Sequence, residues 1–327
     1  MLLVLVMGAA MVMTGCGGGS SEEEAAPEEL TPIKISAINA ATWAPVFIAK
    51  SEGFYEEEGL DVEFTSPGGP KGFQAMQAGD CEFSMLSQEP LLIAQEQGME
   101  SKVVAAMLTS RVYGLVATED ITDVAQLKGK TIFASDPGSA PYVFVQEVLA
   151  DSGLDITSDV TCISASDNNA GLEAFVNGEV AAAFVNMYTT PSLGDMKYNV
   201  LADTTDPAQC AKYLGSEEFP GEMLCATKAY TEENPDTCKK VVSAVLKAQA
   251  WIAEHSDEEV AASLAGVWGD IDQTAVAQQI SLVRDKYAQD CFVTESGEAA
   301  VMAMAVKAGI IKAEIPYDDV VDMSFVK

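Results

Sequence analysis

Ile33-Lys34-Ile35-Ser36-Ala37, then Trp43-Ala44-Pro45-Val46-Phe47-Ile48-Ala49-Lys50, then Glu52-Gly53-Phe54-Tyr55 and Glu58-Gly59-Leu60-Asp61-Val62-Glu63-Phe64 set out a strand, a helix and a second strand. Ile33, Ile35 and Ala37 alternate with polar residues, the period of a half-buried strand. The helix starts at about Pro45, where proline is tolerated in a first turn, and Gly53 stops it. Phe54 to Glu58 form a short turn closed by Gly59, ahead of a strand over Asp61 to Phe64. Strands alternating with helices in this way predict parallel sheets covered by helices.

The rhythm continues outward. Gly68-Gly69-Pro70 opens a helix that ends near Gly79; a strand at Glu82 to Leu86, a helix to Gly98 and a strand at Lys102 to Leu108 follow. Leu115 to Ala117, Thr131 to Ala134, Val160 to Ile163 and Ala181 to Val185 read as further strands, with helices at Pro141 to Ser152 and Ala170 to Asn177. After a strand at Met223 to Ala226 the chain turns helical. Asn234-Pro235 suits an N-cap and first position for a long helix carrying Val241, Val242, Val245, Leu246 and Ile252 on one face. Helices at Glu258 to Ala265, Thr274 to Tyr287 and Gly297 to Ala308 finish the chain. The fold class expected is α/β, with two lobes, each a mainly parallel sheet flanked by helices.

The amino terminus has a different character. Leu2 to Met13 are almost all apolar, too short to span a bilayer and suited to a signal-peptide core. Thr14-Gly15-Cys16 next to it resembles a bacterial lipobox, which implies cleavage after residue 15 and lipid on Cys16. Glycines and serines, then Glu22, Glu23, Glu24, Glu28 and Glu29 with Ala and Pro, make residues 16–30 an acidic flexible tether.

Composition narrows the function. The 327 residues carry a net charge of -32, and without the five tether glutamates 45 acidic residues still face 18 basic ones. Such a field repels nucleic acid and anionic lipid headgroups, so membrane attachment falls to the lipid. With Cys16 assigned to lipid, Cys81, Cys162, Cys210, Cys225, Cys238 and Cys291 are scattered through apolar patterns and read as core thiols, with a disulfide among Cys210, Cys225 and Cys238 open in an oxidising compartment. No CxxC pair supports a zinc site. His255 is the only histidine and precedes Ser256-Asp257-Glu258-Glu259, a junction between helices, so Ser-His-Asp or Cys-His catalysis has little support. No cofactor is expected.

Several of these stretches together resemble one family. Trp43 to Lys50 with Glu52 to Tyr55 and Glu58 to Val62, then Ala78-Gly79-Asp80, Leu127-Lys128-Gly129-Lys130 and Glu233-Asn234-Pro235-Asp236, are similar to segments of the ABC-transporter solute-binding proteins for nitrate, sulfonates and thiamine-type pyrimidines. The resemblance covers nearly everything from Ile33 onward. It implies a two-lobed, type II periplasmic-binding-protein fold, with residues 31–112 and 226–327 in lobe 1, 113–225 in lobe 2, and crossings near Thr109 to Gly114 and Gly221 to Thr227. It also implies a monomeric, extracytoplasmic binding protein that closes on a small molecule and is recognised by an importer's permease subunits. The yeast-type pyrimidine synthase shares that fold but uses clustered cysteines and histidines, which this chain lacks.

Ligands of open α/β sheets bind beyond the carboxyl ends of the strands. In lobe 1 those loops hold Asn39 and Trp43, then Gly68 and Gly69, then Ser87, Gln88 and Glu89. In lobe 2 they hold Asp136, Gly138, Ser139 and Tyr142, then Asp167 and Asn168, then Asn186 and Tyr188. Gly68-Gly69-Pro70 reads equally as a plain turn or as backbone N–H groups offered at a helix start. Trp43 is read as a stacking residue rather than core, while Tyr142 is weaker because one turn along its helix would bury it. Arginine is scarce: Arg284 beside Asp285 suggests a surface pair, whereas Arg111 falls at the first crossing and suits either an anion or a salt bridge across the hinge. Lys71 is a second cation, more in keeping with a helix surface. Glu222 joins Glu89, Asp136, Asn168 and Asn186 as acceptors for ring amines. The acidic surroundings lean toward a flat nitrogen heterocycle, such as a thiamine-precursor pyrimidine, over sulfonate or nitrate.

Overall fold

A computed structural model of the protein describes residues 29–326 apart from Pro67, Gly138 and 164–167, together with the backbone but not the side chains of Asn168 and Asn169. The expected signal peptide, Cys16 with its lipid, and most of the tether lie outside the described residues, as do Gly138 and Asp167. Among the described residues ten strands form two sheets: β1 (Thr31–Ser36), β2 (Leu60–Thr65), β3 (Phe83–Leu86), β4 (Ser101–Leu108), β5 (Tyr113–Thr118), β6 (Thr131–Phe133), β7 (Thr161–Ile163), β8 (Ala182–Asn186), β9 (Tyr198–Asp203) and β10 (Gly221–Thr227). The first sheet runs β2-β1-β3-β10-β4 and the second β7-β6-β8-β5-β9. The architecture is a two-lobed α/β fold.

The opening stretch folds as read. β1 pairs in parallel with β2, from Thr31 against Leu60 to Ser36 against Thr65, and the helix Ala44–Ser51 joins them with Pro45 in its first turn. Gly53 and Gly59 take positive φ values of 77° and 78°, which tighten the turns on either side of the short helix Phe54–Glu57. Behind this sheet lies the amphipathic helix Pro235–Glu254, whose Val241, Val242, Val245 and Ile252 are fully buried.

Each sheet is mainly parallel, as expected, with a single reversed strand: β10 is antiparallel to β3 and β4, and β5 to β8 and β9. Both are the strands that arrive directly from a crossing, so each enters its sheet from the end opposite to the helix-connected strands. β9 has no counterpart in the sequence reading. It is an edge strand paired only with β5, with Val200 exposed, so it lacks the buried alternation that marks the others.

The crossings are short and bonded to each other. The Arg111 N–H donates to Phe219 O at 2.9 Å, and the Phe219 N–H to Thr109 O at 3.1 Å. Thr204, fully buried, accepts from the Tyr113 N–H at 2.8 Å and donates to Arg111 O at 2.7 Å. The chain re-enters the first sheet at Gly221 rather than at residue 226. The C-terminal segment also reaches both lobes: the helix Glu295–Lys307 sets Lys307 against Glu147 of the second lobe, while the Lys312 N–H donates to Glu96 of the first at 2.6 Å.

The six described cysteines are free, five of them buried. Arg284 pairs with Asp257 at 2.6 Å, not with its neighbour Asp285. His255 stacks on Trp251 with ring centroids 3.8 Å apart, at the junction between helices where the sequence placed it. No helix among the described residues is long and apolar enough to cross a membrane, and they hold no cluster of metal-ligating side chains.

Candidate functional site

A cavity of about 460 Å³ lies between the lobes at the carboxyl ends of the strands. The first lobe gives it Thr42, Ser87, Glu89 and Ile93, and the crossings Arg111, Val112, Tyr113 and Glu222. The second lobe gives Ser135, Asp136, Ser139, Asn186 and Tyr188, and Ile310 closes one side from beyond the C-terminal helix. Its size suits a small organic molecule.

Arg111 is the centre of this wall. It is only 6% exposed, and one of its terminal nitrogens, Nη1, donates to Glu89 Oε1 at 2.6 Å and to the Tyr113 hydroxyl at 2.7 Å. The guanidinium carbon sits 5.4 Å from the Phe219 ring centre and 5.8 Å from that of Tyr113, close enough for cation–π attraction. Gly221 makes the room, since a Cβ there would approach Arg111 Cγ to 2.9 Å. Arg111 Nε and Nη2 and Glu89 Oε2 are buried with no partner among the described residues. Buried polar groups of this kind call for a partner, which water or a bound solute can supply. Burial pushes the Glu89 carboxyl up, but the charge and hydrogen bond of Arg111 outweigh it and hold the group below the usual range. Burial likewise pushes the Tyr113 hydroxyl up to about 12.

Glu222 stands beside this pair. It occupies the second position of β10 with φ of 55°, a left-handed conformation rare for a side-chain-bearing residue in a strand. The Trp43 indole N–H donates to Glu222 Oε2. Burial raises the Glu222 carboxyl above its ordinary value, against the opposing effects of Trp43 and Arg111. Ser135, 4% exposed, is a second wall residue in the left-handed region, with φ of 66°.

A family model described as NMT1/THI5 like matches residues 40–259. The chain belongs to that family. A Bacillus subtilis protein named for binding aliphatic sulfonates is 28% identical, over 99% of this chain and 95% of its own length. The formylaminopyrimidine-binding protein of Halalkalibacterium halodurans is 21% identical, over 78% of this chain and 76% of its own. Among solved structures, the periplasmic aliphatic sulphonate binding protein SsuA of Escherichia coli shares the fold with a TM-score of 0.69. It is 20% identical, with 90% of this chain and 92% of that one covered.

Of the positions the sequence singled out in this NMT1/THI5-like chain, Ser87, Glu89, Arg111, Asp136, Ser139, Asn186, Tyr188 and Glu222 converge on the cavity. Trp43 does not reach its wall. At 5% exposure it is packed over Gly68, where a Cβ would lie 2.9 Å from its ring and 3.0 Å from the backbone of Ala37 and Ile38, so it acts as the donor behind Glu222 rather than as a stacking face. Asn39 is exposed, Lys71 is exposed on its helix, and Tyr142 is half-buried away from the wall. Gly69, with φ of 64°, opens the helix Gly69–Ala78 next to the wall residue Pro70. Ser139 caps the helix Ala140–Asp151 by accepting from the Tyr142 N–H at 3.3 Å. Gly138 and the Asn168 side chain lie outside the described residues.

Gln88 is fully buried below the wall and donates to Glu298 Oε1 at 2.6 Å. Glu298, 1% exposed, was not anticipated. It comes from the first turn of the last long helix, 210 residues away, and only the tertiary fold brings it there. Thr42, Tyr113 and Ile310 were also missed: Thr42 sits among alanines ahead of Trp43, Tyr113 lies in the crossing beside Arg111, and Ile310 follows the end of the last long helix.

Proposed function

We propose that the protein is a solute-binding protein that closes its two lobes on a small organic molecule and delivers it to an ABC importer. The observation that carries this reading is the interlobe cavity floored by the Arg111–Glu89 pair, with donors open on one partner and an acceptor on the other. Adjacent donor and acceptor groups suit a ligand that presents an acceptor next to an amine, as aminopyrimidine rings do. The family and the names of its binding-protein relatives support the same role. The lone histidine is outside the cavity wall, which speaks against the synthase alternative.

A sulfonate or nitrate is the second reading, favoured by the unpaired Nε and Nη2 of Arg111, which match a bidentate oxyanion. Against it, Arg111 is already neutralised by Glu89, and Asp136 and Glu222 share the wall. The proposal includes an extracytoplasmic monomer held at the membrane by lipid on Cys16, with the lobes hinged near Arg111 and Gly221. A thermal-shift screen of aminopyrimidines, thiamine, riboflavin, taurine and nitrate tests it. Stabilisation without turnover by the heterocycles is expected; stabilisation by the oxyanions alone supports the second reading, and a reaction product contradicts both. Intact mass of the protein from its native host reads the anchor, and a chain without diacylglycerol at Cys16 rejects it.

A further inference from the structure

The charges around the cavity do not balance. Arg111 is the one cation in its wall among the described residues, against Glu89, Asp136 and Glu222. The 2.6 Å pair uses Arg111 to neutralise Glu89, which leaves Asp136 and Glu222 in the wall with no cation matched to either of them. Lys71, the nearest lysine in the sequence to the wall residue Pro70, is exposed on its helix and takes no part in the wall.

Of these two, Glu222 is the more constrained. Its left-handed backbone costs free energy that an ordinary residue at a strand start would avoid, and the Trp43 N–H fixes one of its oxygens. Tyr188 and Tyr113 in the same wall add aromatic faces, which attract cations. A net charge of -32 on the whole chain extends the same sign of field outward, raising the local concentration of positive solutes at the mouth. An anionic solute would meet repulsion at the mouth and beside Asp136 and Glu222.

Resting on the binding-protein reading, we propose that the solute carries a net positive charge on nitrogen, with Glu222 as its counter-ion and Arg111 Nε and Nη2 donating to a neutral acceptor on the same molecule. The pairing gives an acceptor to Arg111 and an N–H to Glu89 Oε2, the unpaired atoms of the floor, and sets the cationic nitrogen beside Glu222.

Titration calorimetry with two matched probes tests it: an aminomethyl-aminopyrimidine, protonated at neutral pH, and its uncharged hydroxymethyl counterpart, with taurine and butanesulfonate alongside. The cationic probe is expected to bind about tenfold or more tighter than the neutral one, the scale of one charge-assisted hydrogen bond. Glu222→Gln keeps an acceptor for Trp43 and should erase that gap by weakening the cationic probe more than the neutral one. Asp136→Asn gives a second reading should Glu222→Gln fail to fold, and should narrow the gap. Equal or tighter binding of the neutral probe overturns the cationic assignment and leaves the binding-protein reading standing. Taurine or butanesulfonate binding most tightly overturns the assignment in favour of an oxyanion site. If none of the four binds, the assignment falls as well, and the wider thermal-shift screen then decides the binding-protein reading on its own.

Discussion

Glu298 ties the last long helix to Gln88, next to the residue that holds Arg111, and it does so as a carboxyl that is 1% exposed. Burial pushes it up from the ordinary 4.5 to about 7, against the hydrogen bond from Gln88 and the charge of Arg111, both of which lower it. A carboxyl raised in the folded state binds its proton more tightly there than in the unfolded chain. Its stabilising contribution is therefore complete below pH 4.5 and is lost as pH rises through about 7. At roughly 1.4 kcal/mol per pH unit between those two values, the full swing is about 3 kcal/mol. Glu298→Gln keeps an acceptor for Gln88 and adds an N–H pair where the proton was, so it should remove the pH dependence without removing the contact. Urea unfolding of both proteins at pH 5, 6, 7 and 8 reads this directly. The variant should exceed the wild type by about 1 kcal/mol at pH 5 and by about 3 kcal/mol at pH 8. A stability difference that is flat across the window, or that favours the wild type at pH 8, refutes the reasoning.

Gly68→Ala should cost about 1–3 kcal/mol in urea unfolding, because the new Cβ would lie 3.0 Å from the backbone of Ala37 and Ile38, which cannot swing aside as a side chain can. Trp43→Phe keeps an aromatic ring against Gly68 but removes the donor to Glu222; solute affinity measured by calorimetry should fall about tenfold, the scale of one hydrogen bond to a charged group. Arg111→Met leaves the Glu89 carboxylate without its ion pair and should destabilise the protein by about 3–5 kcal/mol in urea unfolding.

Most of the framework was legible from local pattern. The run from Ile33 to Phe64 contains its own strand, helix and turn signals, and it folds as those signals say. β9 was not legible, because an edge strand with Val200 turned to solvent carries no buried alternation. The antiparallel entries of β5 and β10 are properties of the crossings, which no local period encodes. At the candidate site, several residues in loops directly after strands, among them Ser87, Glu89, Asp136 and Tyr188, line the cavity because topology fixes where strand ends point, whereas Asn39 does not. Trp43 was misjudged because a tryptophan between alanines near a loop looks available, whereas Gly68, distant in sequence, gives it a buried seat. Glu298 and Ile310 reach the site from the far end of the chain, and nothing around them marks either as more than part of a helix or its exit.

Arg111 forms the cavity floor with Nε and Nη2 unpaired among the described residues. Arg111→Lys separates these from the ion pair, because lysine keeps a charge for Glu89 but has no planar fork to donate through two further N–H groups. The decisive measurement is calorimetric titration of the tightest solute from the screen into the wild type, Arg111→Lys, and Lys212→Gln beside the separate cavity of about 620 Å³. One solute per chain is predicted for the wild type and for Lys212→Gln with equal affinity, and an affinity about tenfold or more weaker for Arg111→Lys. Unchanged binding in Arg111→Lys, or loss of binding in Lys212→Gln alone, would contradict the site.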